Sequence, residues 1–301
     1  MSKKITDQLH STKSKLLRIF LKALRYFVSS SLHFKISQTI IKLIISKFIF
    51  TKRFDGKWIC LTNVEVGKFI DGADHKRFNK NNFSPLLKKY IRKNSIVIDV
   101  GTSYGDEIID LSQLVGPKGK VYAFEGNKDY FEALNKTISL NSLKNVECIR
   151  AFVGAKNSFL TSIEKTDFIK EPYIKGRDME YSEKGQQKCI NLDSYLSEIG
   201  NKDVSFIKID TDGFELEILK GAKKLLSKNK KCTVISEFIP DTYYGKMKNL
   251  DVLKEYKRLG FKISKIQMSA IPIKQDHEKK FIKEINQSNY MISHDIVLER
   301  K

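Results

Sequence analysis

The sequence predicts an α/β fold with a mostly parallel, Rossmann-like sheet, and three observations carry this prediction. From Ser95 onward, short runs of β-branched and other apolar residues alternate with amphipathic segments of helical length. The first run ends in Asp99 and leads into a loop bounded by Gly101 and Gly105. The second run ends in Glu125, which lies 20 residues beyond Gly105. A strand, a glycine loop, a helix and a strand-end acid in one unit favour a nucleoside ligand.

The glycine loop favours a ligand that carries no phosphates. Gly101 and Gly105 allow a sharp turn and a close approach of the backbone to the ligand. Asp106 and Glu107 are expected in the first turn of the following helix, where they favour the helix dipole but would repel a pyrophosphate. No third glycine completes the dinucleotide pattern. The loop therefore suits a nucleoside cofactor of another kind.

The chain is expected to divide into a basic arm (1–53), a lead-in segment (54–93) and an α/β domain (94–301). The arm carries twelve Lys and Arg residues against one Asp, and the net charge of the whole chain is +20. Residues 15–29 and 35–50 each place a polar, mostly basic stripe opposite an apolar face. No uncharged run in the arm reaches the ~18 residues that span a bilayer. We expect these helices either to contact an anionic membrane surface or to pack on the core or in a dimer.

Composition and cysteine usage indicate a globular protein of a reducing compartment. Apolar residues make up 41% of the chain and aromatic residues 11%, which suits a packed core. Four cysteines without a Cys-x-x-Cys pair argue against both a zinc site and a disulfide framework. Lysines interrupt every candidate core of a signal peptide. We therefore expect a cytoplasmic location, peripheral to the inner face of the membrane if the arm binds lipid.

The elements after the arm follow from apolar periodicity and from turn residues. The lead-in segment contains a strand near 57–61 and a helix over 83–92, with Ser84 as its cap and Pro85 in its first turn. An insert over 153–203 holds a strand near 188–192 and a helix near 193–199. The main alternation comprises strands near 95–100, 120–125, 145–150, 204–210, 232–238, 261–267 and 290–299, with helices near 106–115, 128–140, 214–227 and 249–259.

Four motifs resemble those of FkbM-type methyltransferases, a family within the class I S-adenosylmethionine-dependent superfamily. They read VIDVGTSYG (97–105), VYAFEGN (121–127), IKIDTDGFE (207–215) followed by LKGA, and SE (236–237). The third motif is the most family-specific, because the family pattern reads IKxDxEGxE. The chain departs from the family pattern at three places. Thr102 and Ser103 stand where the family has Ala-Asn, Gly126 where it has Pro, and Asp212 where it has Glu.

The resemblance implies a class I methyltransferase sheet with a C-terminal antiparallel hairpin, and S-adenosylmethionine as the cofactor. Asp99 and the two loop glycines would border the methionine part, and Glu125 would hold the ribose. The adenine would lie near residues 151–154, after the third strand. The cofactor-binding residues implied in this way are Asp99, Gly101, Thr102, Gly105, Glu125, Gly126, Asn127, Val153 and Asp210.

The turn after the fourth main strand concentrates the residues expected to carry catalysis, namely Lys208, Asp212 and Glu215. Alternation places Lys208 and Asp210 on one face of a central strand, where an unpaired lysine would be costly, so we expect them to pair. Asp212 or Glu215 could remove the proton of a hydroxyl acceptor. In one alternative, Asp212 caps the next helix and Glu215 is a surface residue. In another, Asp210, Asp212 and Glu237 bind Mg²⁺ through oxygen ligands.

We therefore expect a methyltransferase that acts on a hydroxyl of a sugar or of a glycan-linked small molecule. The family resemblance implies the sugar and the hydroxyl as acceptor, whereas the residues themselves indicate only the cofactor and the catalytic carboxylates. One alternative is an RNA methyltransferase, which the charge suggests, although the sequence has no recognisable basic-aromatic platform for RNA. The other is a membrane-docked cofactor-binding module without turnover, which the departures at Thr102, Ser103 and Asp212 suggest.

Overall fold

A computed structural model describes residues 50–54, 57–61, 83–160, 187–200, 202–211, 213–238, 247–266, 270–272 and 294–300. Nearly all of these residues belong to one unit of the chain, formed by residues 51–60 and 80–301. The two amphipathic helices expected in the arm lie outside the described residues, as do residues 161–186 of the insert.

The described strands and helices follow the alternation expected from the sequence, mostly to within two residues. The strands are β1 (Phe50–Phe54), β2 (Lys57–Leu61), β3 (Ile96–Val100), β4 (Lys120–Phe124), β5 (Val146–Ile149), β6 (Phe152–Val153), β7 (Ser158–Leu160), β8 (Gln187–Ile190), β9 (Val204–Ile209), β10 (Thr233–Phe238), β11 (Phe261–Ile266), β12 (Ala270–Pro272) and β13 (His294–Arg300). The helices are α1 (Phe83–Tyr90), α2 (Ile108–Val115), α3 (Lys128–Leu140), α4 (Leu192–Glu198), α5 (Glu215–Lys220), α6 (Lys223–Lys228) and α7 (Asn249–Arg258).

The described part of the chain contains a central sheet of eight strands, in the spatial order β12, β11, β13, β10, β9, β3, β4, β5. Strands β10, β9, β3, β4 and β5 run parallel to one another. Strand β13 lies between β10 and β11 and is antiparallel to both. The short strands β6, β8 and β7 form a separate three-stranded sheet. The predicted fold class, a mostly parallel Rossmann-like sheet with a C-terminal antiparallel pair, is confirmed.

The two central strands place charged residues at one edge of this sheet. Strands β3 and β9 are apolar because both of their faces are buried, and Val97, Ile98 and Phe206 have no exposed surface. Their register sets Asp99 of β3 beside Lys208 of β9. Both residues lie near the carboxyl ends of their strands, which is the edge where ligands bind in parallel α/β sheets.

The helix predicted over 214–227 is in fact two helices, α5 and α6. Gly221 separates them and packs so closely that a Cβ there would lie 2.2 Å from the carbonyl oxygen of Gly154. Asp193 accepts hydrogen bonds from the backbone N–H groups of Lys224 and Leu225, at 3.0 and 2.8 Å, in the first turn of α6. Contacts with distant segments therefore break the helix, and a periodicity read along the sequence does not register them.

Helix α1 begins at Phe83, as predicted, but Ser84 lies inside the helix and is therefore not its cap. Helix α2 begins after Asp106 and Glu107, which were expected in its first turn. Glu107 makes no capping hydrogen bond to this helix, because its carboxylate instead contacts Lys208.

The lead-in strand β2 packs on α3 and, through it, is connected to the glycine loop. The Trp58 N–H donates to Asn141 Oδ1 at 3.0 Å, and the Cys60 N–H donates to Thr137 Oγ1 at 3.0 Å. The Thr137 hydroxyl in turn donates to the carbonyl oxygen of Tyr104 in the loop, at 3.0 Å. Thr137 has no exposed surface, so these buried hydrogen bonds connect the glycine loop to strand β2.

Candidate cofactor and catalytic site

The glycine loop after β3 is held against the ends of β4 and β9. The backbone N–H groups of Gly101 and Thr102 donate to the carbonyl oxygen of Phe124, at 3.0 and 3.2 Å. Gly101 has a φ of 78°, and a Cβ there would lie 1.8 Å from the carbonyl oxygen of Asp210. Only glycine fits such a position. The loop therefore runs directly beside the turn that begins at Asp210.

Glu125, at the end of β4, has the geometry of an acceptor for ribose hydroxyls. It is 8% exposed, its Oε2 accepts the Ser103 N–H and its Oε1 accepts the Asn127 N–H, both at 2.8 Å. Burial raises the pKa of Glu125 to about 7, although these two backbone bonds lower it. Each oxygen keeps a lone pair for a further donor. The carboxylate is therefore fixed in place yet still able to bind two hydroxyl groups.

The residues expected around the adenine follow β5 and lie next to Glu125. Ala151 and Val153 are buried. A Cβ on Gly126 would lie 2.5 Å from the ring of Phe152. The departure from the family's proline at Gly126 thus has a physical reason, since the aromatic ring fills the space that a side chain at this position would need.

Lys208 joins three carboxylates at the carboxyl edge of the sheet. Its Nζ lies 2.9 Å from Glu107 Oε2, 3.0 Å from Asp210 Oδ2 and 4.0 Å from Asp99 Oδ1. Burial alone would lower the pKa of Lys208, but the carboxylates of Asp210, Glu107 and Asp99 raise it well above its ordinary value. The predicted pairing of Lys208 with Asp210 is confirmed, and Lys208 is a fixed ammonium shared among three acids.

Asp99 carries an unsatisfied oxygen in this group. The residue is 1% exposed, and its Oδ1 has no hydrogen-bond partner in the part of the chain that the structure describes. Burial raises the pKa of Asp99 to about 6, although Lys208 lowers it. Burial likewise raises the pKa of Glu107, again opposed by Lys208. A buried carboxylate oxygen without a donor fits a site that a cationic ligand group completes.

Glu215 is buried and organises the turn after β9, so its interpretation as a surface residue is wrong. It is 1% exposed, and its Oε1 accepts the backbone N–H groups of Thr211 and Gly213, at 3.0 and 3.1 Å. The Thr211 hydroxyl donates to the same oxygen at 3.1 Å. Asp212, which lies between Thr211 and Gly213 in the sequence, is outside the described residues. A role for Glu215 as the base stays a prediction, but its contacts favour a positioning role.

The magnesium interpretation also stays a prediction. Asp210 and Glu237 lie near the ends of neighbouring strands, β9 and β10. Within the described ranges, no group of three or more His, Cys, Asp or Glu side chains could hold a metal ion. The third expected ligand, Asp212, is not among the described residues.

Glu107 was not predicted as a site residue, and Phe152 was predicted only as part of the range 151–154, without a role for its ring. Glu107 was expected only to favour the helix dipole, yet it directly follows the glycine loop and reaches the same edge as Lys208. A signal for the ring of Phe152 is present in the sequence. Gly126 stands where the family has proline, and an aromatic residue follows the next strand, so the ring can fill the space left by the missing side chain.

The sheet order, the glycine loop after β3 and the buried acid at the end of β4 together define a class I S-adenosylmethionine-dependent methyltransferase. Asp99 and Glu125 fit that cofactor. Asp99 offers a cationic group an oxygen that accepts no hydrogen bond from the described residues, and Glu125 can bind two hydroxyls. The family described as "Methyltransferase FkbM domain" matches residues 99–263. The chain belongs to this family.

A curated protein and several solved structures are similar to the chain. A protein from Sulfurisphaera tokodaii, named "probable cobalt-precorrin-6B C(15)-methyltransferase (decarboxylating)", is 30% identical in an alignment of 172 positions. The alignment covers 51% of this chain and 88% of that protein. A SAM-dependent methyltransferase from Aquifex aeolicus has a TM-score of 0.41 and 16% identity, covering 79% of this chain and 98% of its own. An rRNA methylase from Streptococcus thermophilus has a TM-score of 0.41 and 15% identity, covering 72% and 93%. These names describe those proteins and leave the acceptor of this chain open.

Whether the chain crosses a membrane bears on where this site could bind an acceptor. In the ranges that the structure describes, no helix is both long enough and apolar enough to cross a membrane.

Proposed function

We propose that this methyltransferase transfers its methyl group to a hydroxyl of a sugar or of a glycan-linked small molecule. The observation that supports this most is the position of the turn after β9. Its backbone at Asp210 packs against Gly101 of the cofactor loop, and the turn carries the carboxylates of Asp210 and Asp212. A hydroxyl acceptor loses a proton as it attacks, and a carboxylate beside the cofactor can accept that proton.

The residues of the turn have distinct proposed roles. S-adenosylmethionine supplies a methyl group activated by its sulfonium, so the protein mainly has to align the acceptor and take up its proton. Asp212 is the proposed base. Lys208 holds Asp210 through a 3.0 Å ion pair, and the Asp210 side chain is 40% exposed, so it can hydrogen-bond a ligand. Glu215 fixes the backbone on both sides of Asp212 and is a positioning residue.

The cofactor itself is proposed to lie along the ends of β3, β4 and β5. Glu125 accepts the ribose hydroxyls, because backbone N–H groups already hold its carboxylate. The Oδ1 of Asp99, which accepts no hydrogen bond from the described residues, accepts the ammonium of the methionine part. The ring of Phe152, which packs on Gly126, forms a wall for the adenine together with Val153.

The choice of a sugar over other acceptors rests on the family resemblance, and two other acceptors are outcomes of its test. An RNA acceptor would agree with the net charge of +20. A carbon acceptor would agree with the name of the Sulfurisphaera tokodaii relative.

Incubation with methyl-labelled S-adenosylmethionine and fractionated cell extract tests the proposal. We expect label in a glycan or small-molecule fraction, resistant to ribonuclease and stable to mild alkali, as a methyl ether is and a methyl ester is not. The Asp212→Asn protein is the control, since it keeps the cofactor residues but lacks the proposed base. Label that ribonuclease releases, or label on carbon, would overturn the proposal while leaving the methyltransferase class intact.

A further inference from the structure

We propose that the amino edge of the central sheet docks on the surface of an anionic lipid bilayer. This edge consists of the five turns that lead from a helix into the parallel strands β10, β9, β3, β4 and β5. It lies at the end of the strands opposite to the cofactor site. The proposal concerns a surface of the α/β domain itself, and it depends neither on the proposed acceptor nor on the residues of the cofactor site.

Basic residues occupy every one of these five turns. Together the turns contain seven Lys and Arg residues but a single acid, Asp203. All seven basic residues are exposed, and none of them forms an ion pair with a carboxylate of the described residues. By contrast, Lys220 and Lys254, on helices α5 and α7, each pair with an acid of the same helix. The seven residues are Lys230 and Lys231 before β10, Lys202 before β9, Arg92 and Lys93 before β3, Lys118 before β4, and Lys144 before β5.

Hydrogen bonds between neighbouring turns hold this edge together. The Lys120 N–H donates to the carbonyl oxygen of Ser95 at 3.1 Å, which joins the turns before β4 and β3. The Asn145 amide, before β5, donates to the carbonyl oxygen of Gly116 at 2.9 Å. The side chain of Asn229, before β10, accepts the first N–H group of β9 at 2.9 Å. Since neighbouring strands lie about 4.8 Å apart, the five turns form a continuous basic strip about 19 Å long.

The acidic cofactor site lies at the other end of the same strands, so the charges of the domain are separated. Asp99, Glu125 and Asp210 lie at or next to the carboxyl ends of β3, β4 and β9, which have five or six residues each. At about 3.3 Å per residue, the two edges are roughly 16–20 Å apart. Charges are screened over about 8 Å at physiological salt, so these acids do not cancel the attraction of the basic strip. An anionic bilayer would therefore attract the amino edge and leave the cofactor edge facing away from the lipid.

The chemistry of the strip fits lipid headgroups better than nucleic acid. Six of its seven basic residues are lysines, which carry compact point charges, whereas arginine makes the two-pronged contacts with phosphates and bases. Single-stranded nucleic acid is also bound through aromatic rings that stack on its bases. The exposed large apolar side chain of the described residues is Phe159, on β7, which belongs to the separate small sheet. A bilayer surface requires only positive charges along a common edge.

A polybasic surface alone gives reversible contact with a membrane, and stable anchoring takes a second signal. The basic and apolar stripes expected in residues 15–29 and 35–50 of the arm would supply that signal. The amino edge would then set the orientation of the α/β domain on the lipid. The arm is therefore kept in every protein that is compared.

Co-sedimentation of the full chain with sucrose-loaded vesicles measures this contact. The vesicles contain either phosphatidylcholine alone or phosphatidylcholine mixed with phosphatidylserine. The edge variant combines Lys93→Gln, Lys118→Gln, Lys144→Gln and Lys230→Gln. The control variant has the same net charge and replaces exposed lysines outside the edge. It combines Lys136→Gln, Lys156→Gln, Lys188→Gln and Lys248→Gln.

We expect the unmodified protein to bind the anionic vesicles and not the neutral ones. The edge variant should bind the anionic vesicles at least tenfold more weakly than the control variant, because each Lys near an anionic leaflet strengthens binding about fivefold. Acylation of lysines, measured by mass spectrometry, gives a second readout on the unmodified protein. Anionic vesicles should protect Lys118 and Lys144 from acylation but should leave Lys156 and Lys188 reactive.

A full chain that does not bind anionic vesicles would overturn the proposal. Equal binding by the edge and control variants would also overturn it, since net charge or the arm alone would then account for binding. Weaker binding of an RNA duplex by the edge variant, with vesicle binding unchanged, would assign the edge to nucleic acid instead. If the edge variant does not fold, the acylation pattern decides, and protection of Lys156 and Lys188 in place of Lys118 and Lys144 contradicts the proposed orientation.

Discussion

Replacing Glu125 with Ala perturbs the ribose site at its best-defined contact. The carboxylate is 8% exposed, and its oxygens accept the backbone N–H groups of Ser103 and Asn127, each at 2.8 Å. These bonds hold it where two ribose hydroxyls can donate to its remaining lone pairs. A hydrogen bond to a charged group contributes about 1.5–3 kcal/mol. Two hydrogen bonds to the ribose are lost, but water in the vacated space offsets part of this loss, so we count the equivalent of one bond. That loss lowers cofactor affinity roughly 10- to 150-fold.

Calorimetry with S-adenosylhomocysteine measures this loss without turnover, and we expect at least a tenfold weaker affinity. The variant also leaves two backbone N–H groups without an acceptor, so its midpoint of thermal unfolding should fall, and the titration belongs well below that temperature. Glu132→Ala, an exposed change on α3, should alter neither quantity. A folded Glu125→Ala protein with unchanged affinity would refute the ribose assignment.

Three further predictions concern the base, the buried acids and the arm. Asp212→Asn should lower turnover at least 100-fold with little change in cofactor affinity, because it removes the proposed base. Glu215→Gln should keep most turnover, since its amide oxygen can still accept the Thr211 and Gly213 N–H groups. A large loss of turnover in Glu215→Gln but not in Asp212→Asn would make Glu215 the base. Burial raises the pKa of Asp99 from 3.8 to about 6, so the folded protein binds more protons than the unfolded chain between these values. In urea titrations without cofactor, Asp99 should therefore contribute a fall of up to about 3 kcal/mol in the free energy of unfolding as the pH rises through this window. Asp99→Asn should remove this contribution, whereas Glu107 and Glu125, whose pKa values burial also raises, should keep theirs. The full chain should float with anionic liposomes. A chain that begins at residue 50, which keeps β1 whole, should stay folded but should no longer float. If the full chain does not bind anionic liposomes, or if the shortened chain unfolds, the arm is structural.

The architecture and the strand-end acids could be predicted because local patterns determine them. Alternating apolar runs and glycine turns mark each β–α unit of the central sheet along the sequence. An acid that ends a parallel strand lies at the ligand edge of the sheet, so Asp99, Glu125 and Asp210 could be placed there from the sequence alone. The pairing of Lys208 with Asp210 followed in the same way, because alternation puts both on one face.

The remaining features depend on contacts between distant parts of the chain. Glu107 meets Lys208 only because of the register between β3 and β9, and of the path of the glycine loop, which no local pattern specifies. The break at Gly221 comes from close packing on Gly154. The burial of Glu215 comes from a turn that folds back on its carboxylate. Each of these is a matter of tertiary packing, which periodicity and propensity do not encode.

A crystal structure of the protein with S-adenosylhomocysteine tests the central claim, a nucleoside cofactor at the carboxyl ends of β3 and β4, most directly. The account predicts both ribose hydroxyls within hydrogen-bonding distance of the Glu125 carboxylate, the amino group of the methionine part against Asp99, and the adenine beside Phe152. A ligand bound elsewhere on the chain, or a ribose held by a residue other than Glu125, would contradict it.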